Sequence, residues 1–130
     1  MTDNDLLSRW RTQYPELFKE CFEVWLPQGW ISIVEKRLPI IEAIRVRTGL
    51  SVEIAQIKEK FGGLRFYLDF IHESIYDEVS KLVDEMEKEA EKTCEYCGQN
   101  NDVTTSAAGG YWIRTRCADC LKRDREEVPA

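Results

Sequence analysis

The sequence predicts an α+β fold, in which helices pack on a β-hairpin and a four-cysteine zinc finger closes the chain. Three patterns support this: apolar residues at helical spacing before residue 50, alternation on both sides of Gly62-Gly63, and two Cys-x-x-Cys pairs in the last third of the chain. We expect residues 1–92 to form a helical and hairpin domain. Residues 93–130 should form a zinc-finger module packed on it as one compact unit.

Two helices are expected in the first 50 residues. Over residues 5–24 the apolar side chains recur at spacings of three and four, which places them on one stripe, and Pro15 introduces a kink or a break. Residues 30–48 show similar spacing, with Pro39 as a bend. Gly49 should end this second helix, because glycine readily adopts the left-handed conformation that closes helices.

A β-hairpin is expected over residues 51–70. Two alternating runs flank Gly62-Gly63, and a two-residue turn requires positive φ angles that glycine tolerates. A turn centred there places Phe61 opposite Leu64 on a mostly apolar face, which should point to the core. The opposite, polar face would pair Lys60 with Arg65 and Lys58 with Tyr67.

The polar face of this hairpin collects positive charge, and like charges opposite each other are unfavourable. One interpretation is that an acidic helix predicted over residues 72–92 covers the face and forms an internal polar seam. A second is an exposed site for an anion or an acidic partner, with a tyrosine as stacking platform. The third is an ordinary solvated surface. The candidate partner-binding residues on this face are Lys58, Lys60, Arg65 and Tyr67.

Four cysteines form the most specific motif in the chain. Cys94 and Cys97 make one pair, Cys117 and Cys120 make another, and nineteen residues separate the pairs. This spacing is typical of four-cysteine zinc sites, because two intervening residues let one tight turn present both sulfurs to a tetrahedral ion. Gly98 would permit that turn. Redox dithiols, disulfides and a catalytic zinc fit less well, so we predict one structural Zn²⁺.

A second hairpin is expected between the cysteine pairs, from residues 103–105 and 111–116, with a helix after Cys117. Knuckle, hairpin and helix in this order would resemble a treble-clef finger, whereas a second knuckle at the last pair would make a zinc ribbon. A Trp beside two Arg residues is typical of a binding hot spot, although such a Trp can also pack a module onto its neighbour. This face would present Trp112, Arg114 and Arg116, with Tyr111, Ile113 and Thr115 on the other.

Composition limits the function classes. The chain carries 24 acidic and 18 basic residues, for a net charge of −6, and would repel nucleic acid unless its positive charge gathers on one face. No apolar stretch is long enough to span a membrane, and the acidic start lacks the features of a signal peptide. The single histidine, His72, is more typical of a helix cap than of a catalytic base, and Cys21 is predicted to be a small core residue.

Two stretches together resemble a family of small uncharacterised proteins of bacteria, prophages and phages. The first is a K-x-K-F-G-x-L-R-F-Y hairpin within residues 56–67, and the second comprises residues 94–98 and 112–120 with their four cysteines. The resemblance covers residues 29–121 and implies the same fold and the same zinc ligands. It brings no activity with it, but the phage association suggests a role in conflict between a virus and its host.

We therefore expect a non-catalytic, cytoplasmic zinc-finger protein that acts through protein–protein contacts. It would be encoded by a phage or other mobile element and would inhibit a host system. Its location would be the host cytoplasm if it is phage-encoded. The alternative is nucleic-acid binding through the basic hairpin faces, which predicts salt-dependent affinity. An enzyme with a site around His72 ranks last, because no convergent acid–base set accompanies that residue.

Overall fold

Helices and strands combine in an α+β arrangement that ends in a four-cysteine cluster. A computed structural model describes residues 3–107 and 112–127. Within these residues the helices are α1 (Asp3–Gln13), α2 (Pro15–Phe18), α3 (Ile31–Glu35), α4 (Leu38–Thr48), α5 (Tyr76–Glu91) and α6 (Ala118–Glu127). The strands are β1 (Glu23–Val24), β2 (Val52–Lys60), β3 (Gly63–Ile71), β4 (Val103–Ser106) and β5 (Arg114–Cys117). They form one sheet in the order β1-β2-β3 and a second from β4 and β5.

The first predicted helix is shorter than expected, and its end is a strand. Pro15 starts α2, where its missing N–H leaves no helical bond unmade. The prediction of helix up to residue 24 was wrong, because β1 pairs in parallel with β2 instead. Hydrogen bonds from Phe22 N–H to Ala55 O (3.0 Å) and from Trp25 N–H to Ile57 O (2.8 Å) extend this pairing. Sheet formation therefore outweighed the helical spacing of the local sequence.

The second predicted helix is divided into α3 and α4. The break falls just before Leu38, and Pro39 then lies in the first turn of α4, where proline is tolerated. Gly49 closes α4 as predicted: its φ is 71°, and its N–H donates to Arg45 O at 2.8 Å.

The turn of the first hairpin lies one residue earlier than predicted. Phe61 and Gly62 form it, with φ angles of 56° and 78°, and both are positive as a type I′ turn requires. The register consequently pairs Lys58 with Arg65. Glu59 helps to fix this turn, because its carboxylate accepts the Gly62 N–H at 2.7 Å. The prediction of a Gly62-Gly63 turn was wrong. The placement of Phe61 opposite Leu64 on the core face was wrong too, because Phe61 lies in the turn and is largely exposed, while Glu59 pairs with Leu64.

The main core lies between the helices and the inner face of the three-stranded sheet. Trp10, Phe18 and Trp30 are fully enclosed there, and Cys21 is buried among them as predicted. The helix expected over residues 72–92 is α5, preceded by a short 3₁₀ turn. His72 caps that turn, since its Nδ1 accepts the Ser74 N–H at 3.1 Å. Within the described residues, no helix combines the length and the apolar character needed to cross a bilayer.

Trp30 links this core to the segment that leads into the cysteine cluster. Its buried Nε1–H donates to Thr93 O at 2.9 Å. Trp30→Phe leaves that carbonyl unpaired, so we expect the free energy of unfolding to fall by about 1–3 kcal/mol in urea denaturation. Trp112→Phe is the matched control at a side chain that is 71% exposed, and it should change stability by less than about 0.5 kcal/mol. Equal effects in the two variants would contradict a structural role for this bond.

Candidate metal centre

Four cysteine sulfurs lie close together at the end of β5, the second strand of the hairpin formed with β4. The Sγ atoms of Cys94, Cys97, Cys117 and Cys120 all lie within 4.8 Å of one another, and three of the four residues are buried. Cys97 Sγ and Cys117 Sγ are 3.7 Å apart, far beyond the roughly 2.05 Å of a disulfide. Four sulfurs at this separation can enclose one metal ion in a tetrahedral shell.

A tight turn presents the first cysteine pair. Gly98 has a φ of 81°, a conformation that side-chain-bearing residues rarely adopt. Its N–H donates to Cys94 O at 3.0 Å, and the Cys94 N–H donates to Gln99 O at 2.9 Å. The glycine after the first pair therefore has the role predicted for it.

A strand end and a helix start present the second pair. Cys117 is the last residue of β5, and Cys120 lies in the first turn of α6. The Cys120 N–H points at Cys117 Sγ at 3.4 Å, and the partial positive charge of a helix N-terminus favours thiolate there. Knuckle, hairpin and helix follow in the treble-clef order, so a second knuckle is not formed.

Ionisation is divided unevenly within the cluster, since burial, with a contribution from Cys117, raises the pKa of Cys120 to about 12. Burial opposes ionisation of Cys117, but hydrogen bonds, first from the Cys120 N–H, outweigh it and lower its pKa to about 7. The guanidinium of Arg123 lies 2.9 Å from Cys120 Sγ and adds positive charge. A partly ionised set of four sulfurs is a suitable donor set for one metal ion of soft or borderline character.

Gly29 packs directly against the first cysteine turn. Its N–H donates to Glu95 O at 2.7 Å. A Cβ added at Gly29 would lie 2.1 Å from Cys94 O and 2.8 Å from Gly98 N, so only glycine fits this contact. These contacts cross the boundary expected after residue 92, and they join the turn before α3 to the metal-binding segment.

We call the four-cysteine segment, predicted as residues 93–130, the metal module. The tip of the first hairpin makes the second contact with it. The Thr115 hydroxyl donates to Gly62 O at 2.6 Å, and a Cβ at Gly62 would come within 2.8 Å of the Thr105 side chain. Glu59 accepts a hydrogen bond from Arg114 at 2.8 Å. Glu59 is an acidic residue on an otherwise apolar hairpin face, and its pairing with Arg114 explains its presence there.

Glu95 is the buried acid at this junction. Its carboxylate accepts the Thr115 N–H at 2.6 Å and lies 3.6 Å from Arg114. Burial raises its pKa to about 7, and the neighbouring charge of Glu59 acts in the same direction. Sequence inspection missed Gly29 and Glu95, since neither stands out until the knuckle is folded. The signal available in the sequence was Glu59, an acidic residue among the apolar residues of its hairpin face.

The face predicted from Trp112, Arg114 and Arg116 is only partly exposed to solvent. Trp112 is 71% exposed, and Arg114 lies over its ring at 5.9 Å. Arg116, by contrast, is only 3% exposed; it pairs with Asp124 at 2.6 Å and donates to Ser106 O at 2.9 Å. Including Arg116 in an exposed face was wrong, because α6 covers it. Tyr111 lies outside the described residues.

The predicted basic face of the first hairpin is not covered by the acidic helix α5. Lys60, Arg65 and Tyr67 are exposed and Lys58 is half-buried. Among the described residues, no carboxylate forms an ion pair with these three basic side chains. The acids of α5 pair elsewhere, as in Glu89 with Lys36 and Arg37, Glu85 with Arg37, and Glu78 with Arg47. The interpretation of an internal polar seam is therefore wrong.

Comparison with protein families, with curated proteins and with solved structures found no match to this chain.

The Gly29 contact gives a test of how the metal module is held. Gly29→Ala should weaken metal binding and lower the unfolding temperature, because the new methyl group overlaps the Cys94 carbonyl. Gly49→Ala is the control: it has open space but a φ of +71°, so it should cost about 1 kcal/mol of stability and leave metal affinity unchanged. Competition titration with a chromophoric chelator measures both affinities. Identical losses of metal affinity would contradict the packing argument.

Proposed function

We propose that this chain is a non-catalytic zinc protein whose metal module holds a protein-binding patch in place. Zinc is supported by the donor set, since four thiolates form a closed tetrahedral shell typical of structural zinc. A Zn–S distance of about 2.3 Å in a regular tetrahedron separates the sulfurs by about 3.8 Å. The 3.7 Å between Cys97 and Cys117 matches that separation. Cys94, Cys97, Cys117 and Cys120 would be the ligands.

The proposed binding surface is the tip patch, formed by Phe61, Trp112 and Ile113 and flanked by Lys60 and Arg114. Phe61 and Trp112 are 65% and 71% exposed, and Ile113 is 38% exposed. A shallow pocket of about 310 Å³ lies between these side chains. Cation–π contacts place Lys60 over Phe61 at 5.4 Å and Arg114 over Trp112 at 5.9 Å. Exposed aromatic and arginine side chains around a pocket are typical of binding hot spots.

The conformation of Phe61 is the observation that carries this proposal. Phe61 occupies a type I′ turn position with a φ of 56°, where Asn or Gly would be favoured and a bulky residue is strained. Its ring is also largely exposed to solvent. Selection for stability alone would favour neither a phenylalanine at this turn position nor a ring exposed to solvent. Strain of this kind is retained at sites of function, and contact with a partner would bury the ring.

The basic hairpin face suggests the chemistry of the partner. Lys58, Lys60 and Arg65 continue from the tip patch. Lys58 faces Arg65 across the hairpin, and the charge of Arg65 acts on Glu87 without forming an ion pair with it. We therefore propose an acidic protein surface as the partner, bound in the cytoplasm. The resemblance to phage and prophage proteins adds the proposal that the partner belongs to a host system that this protein inhibits. Nucleic acid is the alternative ligand, and the net charge of −6 opposes it.

Metal content tests the zinc assignment. We expect about one zinc ion per chain by elemental analysis of the purified protein. Cys97→Ala should lose most of this zinc and unfold at a lower temperature. Cys21→Ala is the control for removing a thiol, because Cys21 lies in the main core and not in the cluster. A wild-type protein without zinc, or equal zinc loss in both variants, would contradict the assignment.

Phe61→Asn tests the tip patch by separating stability from binding. Asn tolerates the left-handed conformation, so the free energy of unfolding should rise by about 1 kcal/mol. Binding should nevertheless fall by at least about tenfold, because the hot-spot ring is lost. The measurement combines urea denaturation with crosslinking pull-down from nuclease-treated host lysate, followed by titration of the recovered protein.

Phe22→Asn is the matched control for this experiment. Phe22 is 69% exposed and lies outside the tip patch, so its substitution should leave partner binding intact. A partner that Phe61→Asn still retains at full affinity would exclude the patch. Recovery of nucleic acid alone from a parallel lysate without nuclease, lost on raising the salt concentration or on adding nuclease, would favour the alternative ligand.

A further inference from the structure

A groove between β3 and α5 is unused by the metal centre and the tip patch. Its volume is about 730 Å³, and it extends along β3 from Phe66 to Ile71 and along α5 from Tyr76 to Glu87. A strand of six residues spans roughly 17–20 Å, so the groove is long enough for a short extended segment. We call it the acidic groove.

One wall of the acidic groove is a sheet edge. The strand order β1-β2-β3 leaves β3 terminal on its outer side. The Phe66 N–H points away from β2, because it donates to the Glu87 carboxylate of α5 at 3.3 Å. The pairing of β2 with β3 shifts register opposite Tyr67, Leu68 and Phe70, so the outward direction of the backbone is established at Phe66. Sheet edges of this kind can pair with an added strand.

The groove also presents uncovered aromatic rings. Tyr67, Phe70 and Tyr76 line it and are 44%, 50% and 53% exposed. Single exposed apolar side chains are common on protein surfaces, but three exposed rings along one groove are typical of an interaction site. The faces of these rings can contact cationic side chains.

The charge of the groove is strongly negative. Its acidic residues are Asp69, Asp77, Asp84 and Glu87, against a single Lys81. Within the described part of the chain none of these acids forms an ion pair. The acids on the other side of α5 do, as Glu78 does with Arg47 and Glu85 with Arg37. Arg47 and Arg37 therefore neutralise acids on one side of α5, whereas the acids on the groove side stay available to cations.

Glu87 is the acid nearest the strand edge. Partial burial raises its pKa, and the charge of Asp84 acts in the same direction, while the Phe66 N–H and the charge of Arg65 oppose this rise. The positive charge of an incoming cation would offset the cost of burial and the repulsion from Asp84. This supports a basic occupant, which the geometry and charge of the groove already favour.

We propose that the acidic groove binds an extended segment of a partner protein rich in lysine and arginine, which pairs with the outer edge of β3. Alternate basic side chains would meet the carboxylates and the aromatic faces. Backbone pairing would supply affinity without a fixed sequence, and the spacing of charges would supply the preference. This surface is separate from the tip patch and requires a partner of opposite charge.

Fluorescence anisotropy with a designed peptide tests the proposal on the full, zinc-loaded chain. The probe is a fluorescein-labelled heptapeptide that alternates Arg or Lys with Val. We expect it to bind wild-type protein, and we expect a peptide with Glu in place of Arg and Lys not to bind. Asp77→Asn with Asp84→Asn should weaken binding of the basic peptide roughly tenfold.

Three controls make each outcome decisive. Glu78→Gln with Glu85→Gln removes the same charge from the other side of α5 and should leave the affinity unchanged. A basic peptide with N-methyl groups on the edge-pairing amides should not bind, because it cannot add to the strand. Phe61→Asn should bind the probe normally, which separates the groove from the tip patch. Failure of the basic peptide to bind, equal binding of the N-methylated peptide, or equal losses in the two double variants would overturn the proposal.

Discussion

The contact between the tip of the first hairpin and the second hairpin is the interaction on which the rest of the structure depends. Thr115 donates to Gly62 O, and Arg114 reaches Glu59, which in turn holds the Gly62 N–H. The strand that carries Thr115 and Arg114 ends at Cys117, one of the four clustered cysteines. A metal ion bound by the four cysteines would therefore fix the position of β5, and through it the conformation of the hairpin tip.

This connection explains why an exposed phenylalanine can remain in a left-handed conformation. A turn at the end of an isolated hairpin would relax, or a sequence with Asn at this position would be more stable. Here Glu59 and Thr115 hold the neighbouring Gly62 from two sides, so the turn is determined by its surroundings. Strain at one residue persists only where the surrounding contacts over-determine it. The proposed binding role of the metal module is thus indirect, since it orients a surface that the other half of the chain provides.

The sequence predicted the parts of the fold that local chemistry determines. The cysteine spacing specified the cluster, Gly98 and Gly49 marked positions of positive φ, and the helix over residues 72–92 was found with its buried stripe. These features depend on a few neighbouring residues. Each of them is encoded by residue types with strong conformational or metal-binding preferences.

The parts that sequence reasoning missed depend on distant contacts. Residues 23–24 form a strand because β2 offers an open edge, and no periodicity within the segment reveals that. Gly62-Gly63 satisfied the local rule for a turn, yet Glu59 and Thr115 select the turn one residue earlier. Arg116 alternates with Trp112 and Arg114 in the sequence, but α6 folds over it and supplies Asp124. In each case the deciding partner is too far along the chain for a local pattern to contain it.

The distribution of charge is the last consequence of this architecture. A net charge of −6 would suggest a uniformly acidic surface, but the structure separates the signs. The polar face of the first hairpin places Lys58 opposite Arg65, with Glu87 close enough for the charge of Arg65 to act on it, while the acids of α5 divide between paired and unpaired sides. Helix α5 lies close to β3, and the charge of Arg65 acts on Glu87 there. The other charges of the two surfaces form no ion pair with each other among the described residues, and their separation suits binding partners of opposite sign.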